Sequence, residues 1–262
     1  MSPEYIFIMA TAQNAEGIIL RKFYLRETSY IIVLFTREFG KIKGVIKGVR
    51  NPYPQFAGNF EIFTQCQVLF YRKKKRPMDL ITHCEALDFF LPVRKDIERL
   101  TFAGYFVELI DIVTADYDVN EGLYQVLVDS LRFLATKASA KRVSRVFELK
   151  LLGAIGLSPQ LEECAGCGAL LEGGGYFSVQ DGGALCAKCG RSGGSDIPVS
   201  LGTVNFMRKI QSSDMNKTYR IKVSKEVGKE TEKVLRRFLQ YHISRQVKSL
   251  VFLEQLKKKG MI

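Results

Sequence analysis

Asn59-Phe-Glu-Ile-Phe-Thr-Gln-Cys-Gln-Val-Leu-Phe-Tyr71 alternates in character along its whole length. Phe60, Ile62, Thr64, Cys66, Val68 and Phe70 fall on one face of an extended chain, and Glu61, Phe63, Gln65, Gln67, Leu69 and Tyr71 on the other. A period of two sustained this far reads as a β-strand. Working outward, Gly17–Leu25, Ser29–Thr36, Lys41–Val49 and Met78–Leu87 are also rich in Ile, Val, Phe, Tyr and Thr. Turn residues separate them: Arg26-Glu-Thr28, Glu38-Phe-Gly40, Asn51-Pro-Tyr-Pro54 and the run Arg72–Pro77. Five short antiparallel strands are too few for two packed sheets. They predict a small closed barrel, because closure removes exposed edges, with Gly44 and Gly48 at its bends.

After Pro92 the period lengthens to that of a helix. Ile97–Val113 and Leu123–Leu134 have helical spacing, and Val143–Ile155 is apolar nearly all round, which predicts a central buried helix. Ser200–Gln211 and a long amphipathic Ser224–Lys257 follow. The fold class is therefore α+β: a five-stranded barrel over 1–88, then an all-helical domain over 89–262 with an insertion at 160–196.

The 262 residues carry a formal charge of +12, unevenly placed. Residues 1–80 are net +7, 81–163 net −4, 164–190 net −1 and 191–262 net +10. Two basic ends around an acidic middle suit a polyanionic partner, whose condensed counterions Lys and Arg release. The longest apolar run, Tyr30–Phe35, is far short of the roughly 18 residues of a membrane span. The first ten residues lack the positive start of an export signal. No membrane association is expected.

Cys164-Ala-Gly-Cys167 and Cys186-Ala-Lys-Cys189 stand 18 residues apart, inside the spacing of four-cysteine zinc sites. Ten of the 22 glycines fall between Cys164 and Ser195, so this stretch cannot build its own core and needs a staple. The competitors are two disulfides, a redox dithiol and an iron–sulfur cluster. Disulfides need an oxidising compartment, and a redox motif uses one Cys-x-x-Cys rather than two. Four protein ligands leave no open position, so one structural Zn²⁺ is expected at Cys164, Cys167, Cys186 and Cys189. Cys66 and Cys84, in neighbouring strands, read as core thiols.

Two basic stretches carry the candidate nucleic-acid contacts. Lys41, Lys43 and Lys47 share one face of the third strand, and Arg50 follows in the turn. Arg72, Lys73, Lys74, Lys75 and Arg76 form a cationic hairpin. With exposed rings (Tyr24, Phe63 and Tyr71 are the candidates), these would hold phosphates on cations and stack bases on aromatics. The bland alternative is a solvated loop with edge-guarding lysines. On the last helix, Lys225, Lys229, Lys233, Arg236 and Arg237 lie along one side, with Glu226, Glu230 and Glu232 in pairing range.

Catalytic constellations are missing. No phosphate-binding Gly-rich loop or His-Glu-x-x-His motif occurs, and the two histidines, His83 and His242, read as structural. No catalytic residue and no small-molecule substrate is expected.

Taken together, Glu27-Thr-Ser-Tyr-Ile-Ile-Val-Leu-Phe-Thr36, Gly40-Lys-Ile-Lys-Gly-Val-Ile-Lys-Gly-Val-Arg50, Phe147-Glu-Leu-Lys-Leu-Leu-Gly-Ala-Ile-Gly156, the two cysteine pairs and Tyr241-His-Ile-Ser-Arg-Gln-Val-Lys-Ser249 resemble, in order and spacing, the RecO family of bacterial recombination mediators. The resemblance implies an N-terminal OB-fold, a helical C-terminal domain and a structural zinc that many members keep. It implies binding of single- and double-stranded DNA, strand annealing, and loading of RecA onto strands coated by single-strand-binding protein (SSB), together with RecR. It also implies a helical-domain site for the acidic, apolar C-terminal tail of SSB, and a cytoplasmic, nucleoid-associated location. Residues 1–14 precede the usual start and read as an extension. From the residues alone, the competing class is a zinc-ribbon regulator reading duplex DNA by sequence. It needs a short basic recognition helix beside a turn, and none is evident.

Overall fold

A computed structural model describes residues 11–49, 60–72, 78–191, 194–218, 221–243 and 245–260. The residues cluster into two compact units. One holds the described residues as far as Leu91 together with Thr114–Tyr124; the other holds Pro92–Val113 and the residues from Gln125 onward.

The first unit is the closed barrel. Its strands are β1 (Ala12–Leu25), β2 (Ser29–Thr36), β3 (Gly40–Ile46), β4 (Gln65–Tyr71) and β5 (Asp79–Asp88), in the order β1-β2-β3-β5-β4 with β4 pairing back to β1. Ile19, Ile32, Leu34, Ile42, Val68, Phe70 and Ile81 fill the interior, and Cys66 and Cys84 lie buried among them. Each such side chain removed from water contributes about 1.5–3 kcal/mol.

Three expectations are corrected. The strands are not all antiparallel: β3 and β5 run parallel, Gly44 opposite Asp79 and Ile46 opposite Ile81, which is how a barrel of this order closes. A Cβ at Gly44 would stand 2.5 Å from the Ile81 side chain, so glycine is required by that close approach. The fourth strand starts at Gln65 rather than Asn59: the chain before it turns, with Phe63 in left-handed backbone (φ 56°) and its N–H donating to the Ile19 carbonyl at 2.7 Å. Ala12–Asn14, read as extension, are the first rungs of β1, opposite Tyr71, Phe70 and Leu69.

Thr114–Tyr124 covers one end of the barrel. The Lys41 ammonium donates to the Thr114 carbonyl at 2.6 Å, and the Tyr117 N–H donates to the Lys41 carbonyl at 2.8 Å. The Tyr117 hydroxyl bonds Asp79, and the Tyr124 hydroxyl donates to Glu16 at 3.0 Å. Gly40 has φ 66°, and a Cβ there would lie 2.1 Å from the Asp118 carbonyl oxygen, so only glycine lets the segment settle.

In the chain's second part, α1 (Leu91–Arg94) precedes α2 (Ile97–Val113), α3 (Glu121–Leu134) and α4 (Ala140–Ala154). Three short strands, β6 (Gly175–Ser178), β7 (Gly183–Leu185) and β8 (Ile197–Val199), form a small sheet in the order β7-β6-β8. Then come α5 (Leu201–Ser212), α6 (Met215–Thr218), α7 (Lys225–His242) and α8 (Lys248–Lys258). The central position expected for α4 holds: it packs on α2, α5 and α7, and Phe147 stacks on Phe106 with centroids 4.1 Å apart. The single long last helix expected from Ser224 to Lys257 is two helices. The break falls after His242, and α8 starts afresh because the Glu108 carboxylate accepts the N–H groups of Lys248 and Ser249, both at 2.8 Å.

Candidate metal centre and basic surfaces

Two Cys-x-x-Cys turns meet beside the β6–β8 sheet. Each is closed by backbone: Gly168 N–H donates to the Cys164 carbonyl at 2.8 Å, and Cys189 N–H to the Cys186 carbonyl at 3.1 Å. The turns bring the four sulfurs within 4.8 Å of one another, with Cys167 and Cys186 Sγ atoms 3.9 Å apart. Sulfurs about 2.3 Å from one tetrahedral ion sit slightly under 4 Å apart, so the set needs only a small contraction to ligate one metal ion.

The surroundings favour thiolate. Desolvation works against the Cys164 thiolate, yet backbone N–H groups of Cys186, Gly166 and Cys167 outweigh it and hold the pKa down to about 6. The Cys186 N–H donor lies 3.3 Å from the Cys164 sulfur. N–H groups of Cys189 and Lys188 likewise lower Cys186. Cys189 goes the other way, to about 12, because it hydrogen-bonds the Cys167, Cys186 and Cys164 sulfurs, is desolvated and lies close to the Cys164 charge. A divalent cation would offset that charge. Behind the sulfurs, Phe177, Leu185, Ile197 and Val199 are buried, and the Phe177 ring meets Phe238 of α7 edge-on at 5.5 Å. An ion held by all four would brace a small sheet against a helix and leave no sulfur spare for a substrate.

The barrel cations divide. Lys43 and Lys47 are exposed. Lys41, expected on the same face, is only 8% exposed, because Thr114–Tyr124 lies over that end and its carbonyl takes the ammonium. Arg72 is exposed, its guanidinium 3.9 Å above the Tyr117 ring. Arg50 and Lys73, Lys74, Lys75 and Arg76 lie outside the described residues. Of the candidate rings, Tyr24 is 70% exposed, Tyr71 is half-buried and Phe63 is buried. His83 is exposed on β5, and His242 packs edge-on against Phe238 at 4.5 Å.

A pocket of about 430 Å³ opens between α4, α5 and α7. Lys141, Arg142, Arg145, Lys225 and Lys229 line it, with Phe206 and Val223 supplying apolar wall and Glu232 the one acid. Arg145 is only 5% exposed. Its Nη2 bonds the Glu148 carboxylate at 3.1 Å, while Nε and Nη1 have no hydrogen-bond partner among the described residues. Buried guanidinium donors left over in a cationic pocket with an apolar wall fit a carboxylate carried on an apolar side chain. The pocket gathers side chains from three helices distant in sequence, so no local pattern places it.

Beneath the pocket, Glu148 is fully buried. It accepts from the Tyr105 hydroxyl at 2.9 Å, and its Oε2 has no partner among the described residues. Burial, the largest influence, raises its pKa despite Arg145. Burial likewise pushes the Tyr105 hydroxyl well up. Among the described residues no helix is long and apolar enough to cross a membrane.

Comparison with known proteins agrees with this architecture. The family profile described as "Recombination protein O N terminal" matches residues 9–90, and "Recombination protein O C terminal" matches residues 94–250. The chain is 32% identical to a DNA repair protein RecO of Pelotomaculum thermopropionicum over 242 residues, 92% of this chain and 93% of the relative. It is 32% identical to that of Moorella thermoacetica over 245 residues, 93% and 91% of the two chains. A third, from Symbiobacterium thermophilum, is 30% identical over 248 residues, 93% and 97% of the two. With both halves matched in order, across an OB-like five-strand barrel and a helical region carrying four clustered cysteines, the chain belongs to the RecO family of DNA repair proteins.

Proposed function

We propose that this protein is a non-enzymatic recombination mediator. It binds single- and double-stranded DNA, anneals complementary strands and, with RecR, helps load RecA onto SSB-coated single strands. The observation that carries this reading is the pocket between α4, α5 and α7: five cations, one of them a buried guanidinium with two nitrogens unpartnered among the described residues, and an apolar wall complement an acidic, apolar protein tail. Docking the SSB tail there would bring the protein to coated strands without displacing the coat.

The barrel then holds the strand. Lys43, Lys47 and Arg72 are its exposed described cations from the candidate set, and the Tyr24 ring, 70% exposed and tilted against Tyr30, would offer a face to a base. Two strands screened by one cationic surface lose mutual repulsion, which is how annealing proceeds without a reaction on the chain. The metal is one structural Zn²⁺ held by Cys164, Cys167, Cys186 and Cys189. An all-sulfur, fully protein-filled set is the chemistry of such sites. The protein would work in the cytoplasm on the nucleoid.

The test is fluorescence annealing of complementary oligonucleotides coated with SSB. Addition of the protein should speed annealing, and the gain should shrink when the SSB lacks its acidic tail or when Arg142→Ala is used. No acceleration, with no binding of a tail peptide, would reject the reading.

A further inference from the structure

The outer face of α7 carries a row of cations that no described residue meets in a salt bridge. Lys225, Lys229, Lys233 and Arg237 recur every fourth residue, about 6 Å per step and about 18 Å end to end. All four are exposed. The buried stripe of the same helix, Thr231, Val234, Leu235, Phe238 and Leu239, lies on the opposite side.

The acids of α7 that sequence spacing would assign to these cations are committed elsewhere. Glu230 accepts from the Ser200 N–H at 2.9 Å, the Ser200 hydroxyl at 2.8 Å and the Thr203 hydroxyl at 2.6 Å, fixing the start of α5. Glu232 binds Arg236 at 2.8 Å and Lys257 at 2.7 Å. Glu226 turns to its own helix N-terminus and the Ser224 side chain, and its charge interaction with Lys229 is the weakest of its influences. No ion pair joins Lys225, Lys229, Lys233 or Arg237 to a described residue at salt-bridge distance. A helix whose acids are mostly spent on its packing partners or its own cap while its outer row is cationic is built to meet an extended anion, not to lie in water as a neutral mosaic.

The row also runs into the pocket, since Lys225 and Lys229 line it. We propose that the outer face of α7 is a phosphate track for single-stranded nucleic acid, and that it shares Lys225 and Lys229 with the pocket, so a strand on the track and an acidic peptide in the pocket exclude each other. This deepens the proposed function, on which it rests. The protein would arrive holding an acidic tail and release it as the strand takes over the shared lysines, a hand-off that uses no chemical energy.

The experiment uses the full chain and two probes followed by fluorescence anisotropy. One is a labelled 20-mer oligothymidylate. The other is a labelled peptide of aspartates ending in an apolar residue with a free carboxylate. Lys233→Glu/Arg237→Glu, outside the pocket, should weaken the oligonucleotide on the order of ten-fold and reduce its salt slope by about 1.4, two single-strand phosphate contacts' worth. It should leave the peptide unchanged. Lys225→Glu/Lys229→Glu should weaken both, and unlabelled oligonucleotide should displace the peptide from the unaltered protein. Circular dichroism melts confirm that these surface variants fold. An unchanged oligonucleotide slope in Lys233→Glu/Arg237→Glu, or simultaneous binding of both probes without mutual loss, overturns the inference. If the slope falls instead only in Lys43→Glu/Lys47→Glu, the inference fails while the mediator reading stands. An unaltered protein that binds no oligonucleotide overturns both.

Discussion

Stripping the metal from the four-cysteine group gives the sharpest test of what that group is for. The small sheet behind it has three strands of three or four residues and buries Phe177, Leu185, Ile197 and Val199. Strands that short do not stand alone, and Phe177 ties them to Phe238 of α7. Loss of the ion should therefore be felt as folding stability. At a free metal concentration a thousand times the dissociation constant, mass action adds about 4 kcal/mol. At about 2–4 °C per kcal/mol for a chain of this size, chelation should lower the melting midpoint by roughly 8–16 °C. Zinc added back should restore it. Affinity should also rise with pH, because the Cys189 thiol, held up to about 12, must give up its proton on binding. The assay is thermal unfolding by circular dichroism alongside metal content by atomic absorption. A preparation with no bound metal and a midpoint within about 2 °C of the untreated protein would refute the bracing role.

Other outcomes can be stated briefly. Lys41→Gln should cost about 1–3 kcal/mol in urea unfolding through the lost bond to the Thr114 carbonyl, and leave the salt slope of DNA binding unchanged, whereas Lys43→Glu/Lys47→Glu should lower that slope with little loss of stability. Phe177→Ala should cost about 3–5 kcal/mol while metal still binds; an equal loss of metal would show that packing, not the sulfurs, sets the site. Glu148 keeps its proton to higher pH in the folded protein than in the unfolded chain. Its favourable contribution is thus complete below the ordinary carboxylate range and lost as pH rises through the raised value. The stability advantage of the unaltered protein over Glu148→Gln should then shrink as pH rises above the ordinary carboxylate range, and an advantage that grows would contradict the direction given.

The barrel and the cysteine centre were legible because their signals are local. Period-two alternation marks Cys66, Val68 and Phe70 as interior whatever surrounds them, and two Cys-x-x-Cys turns carry their ligand geometry with them. The errors come where distant chain decides. Lys41 obeys the same alternation as Lys43 and Lys47, yet it is buried by a segment more than seventy residues later. The break between α7 and α8 depends on Glu108 in α2, which supplies a new helix start that no pattern near residue 243 announces. The α7 acids showed pairing range with its cations, but which partner each took was a tertiary matter: Glu230 went to Ser200 and Thr203. Local periodicity says which face a residue occupies, not what another element has laid over that face.

That Thr114–Tyr124 belongs to the barrel unit has a consequence for how the protein is made. On the ribosome, all five strands emerge before the piece that seats Lys41, Asp79 and Glu16 does. Vectorial synthesis therefore leaves the barrel ajar through the whole of α2, and a gene cut at the end of β5 would yield a vessel without its stopper.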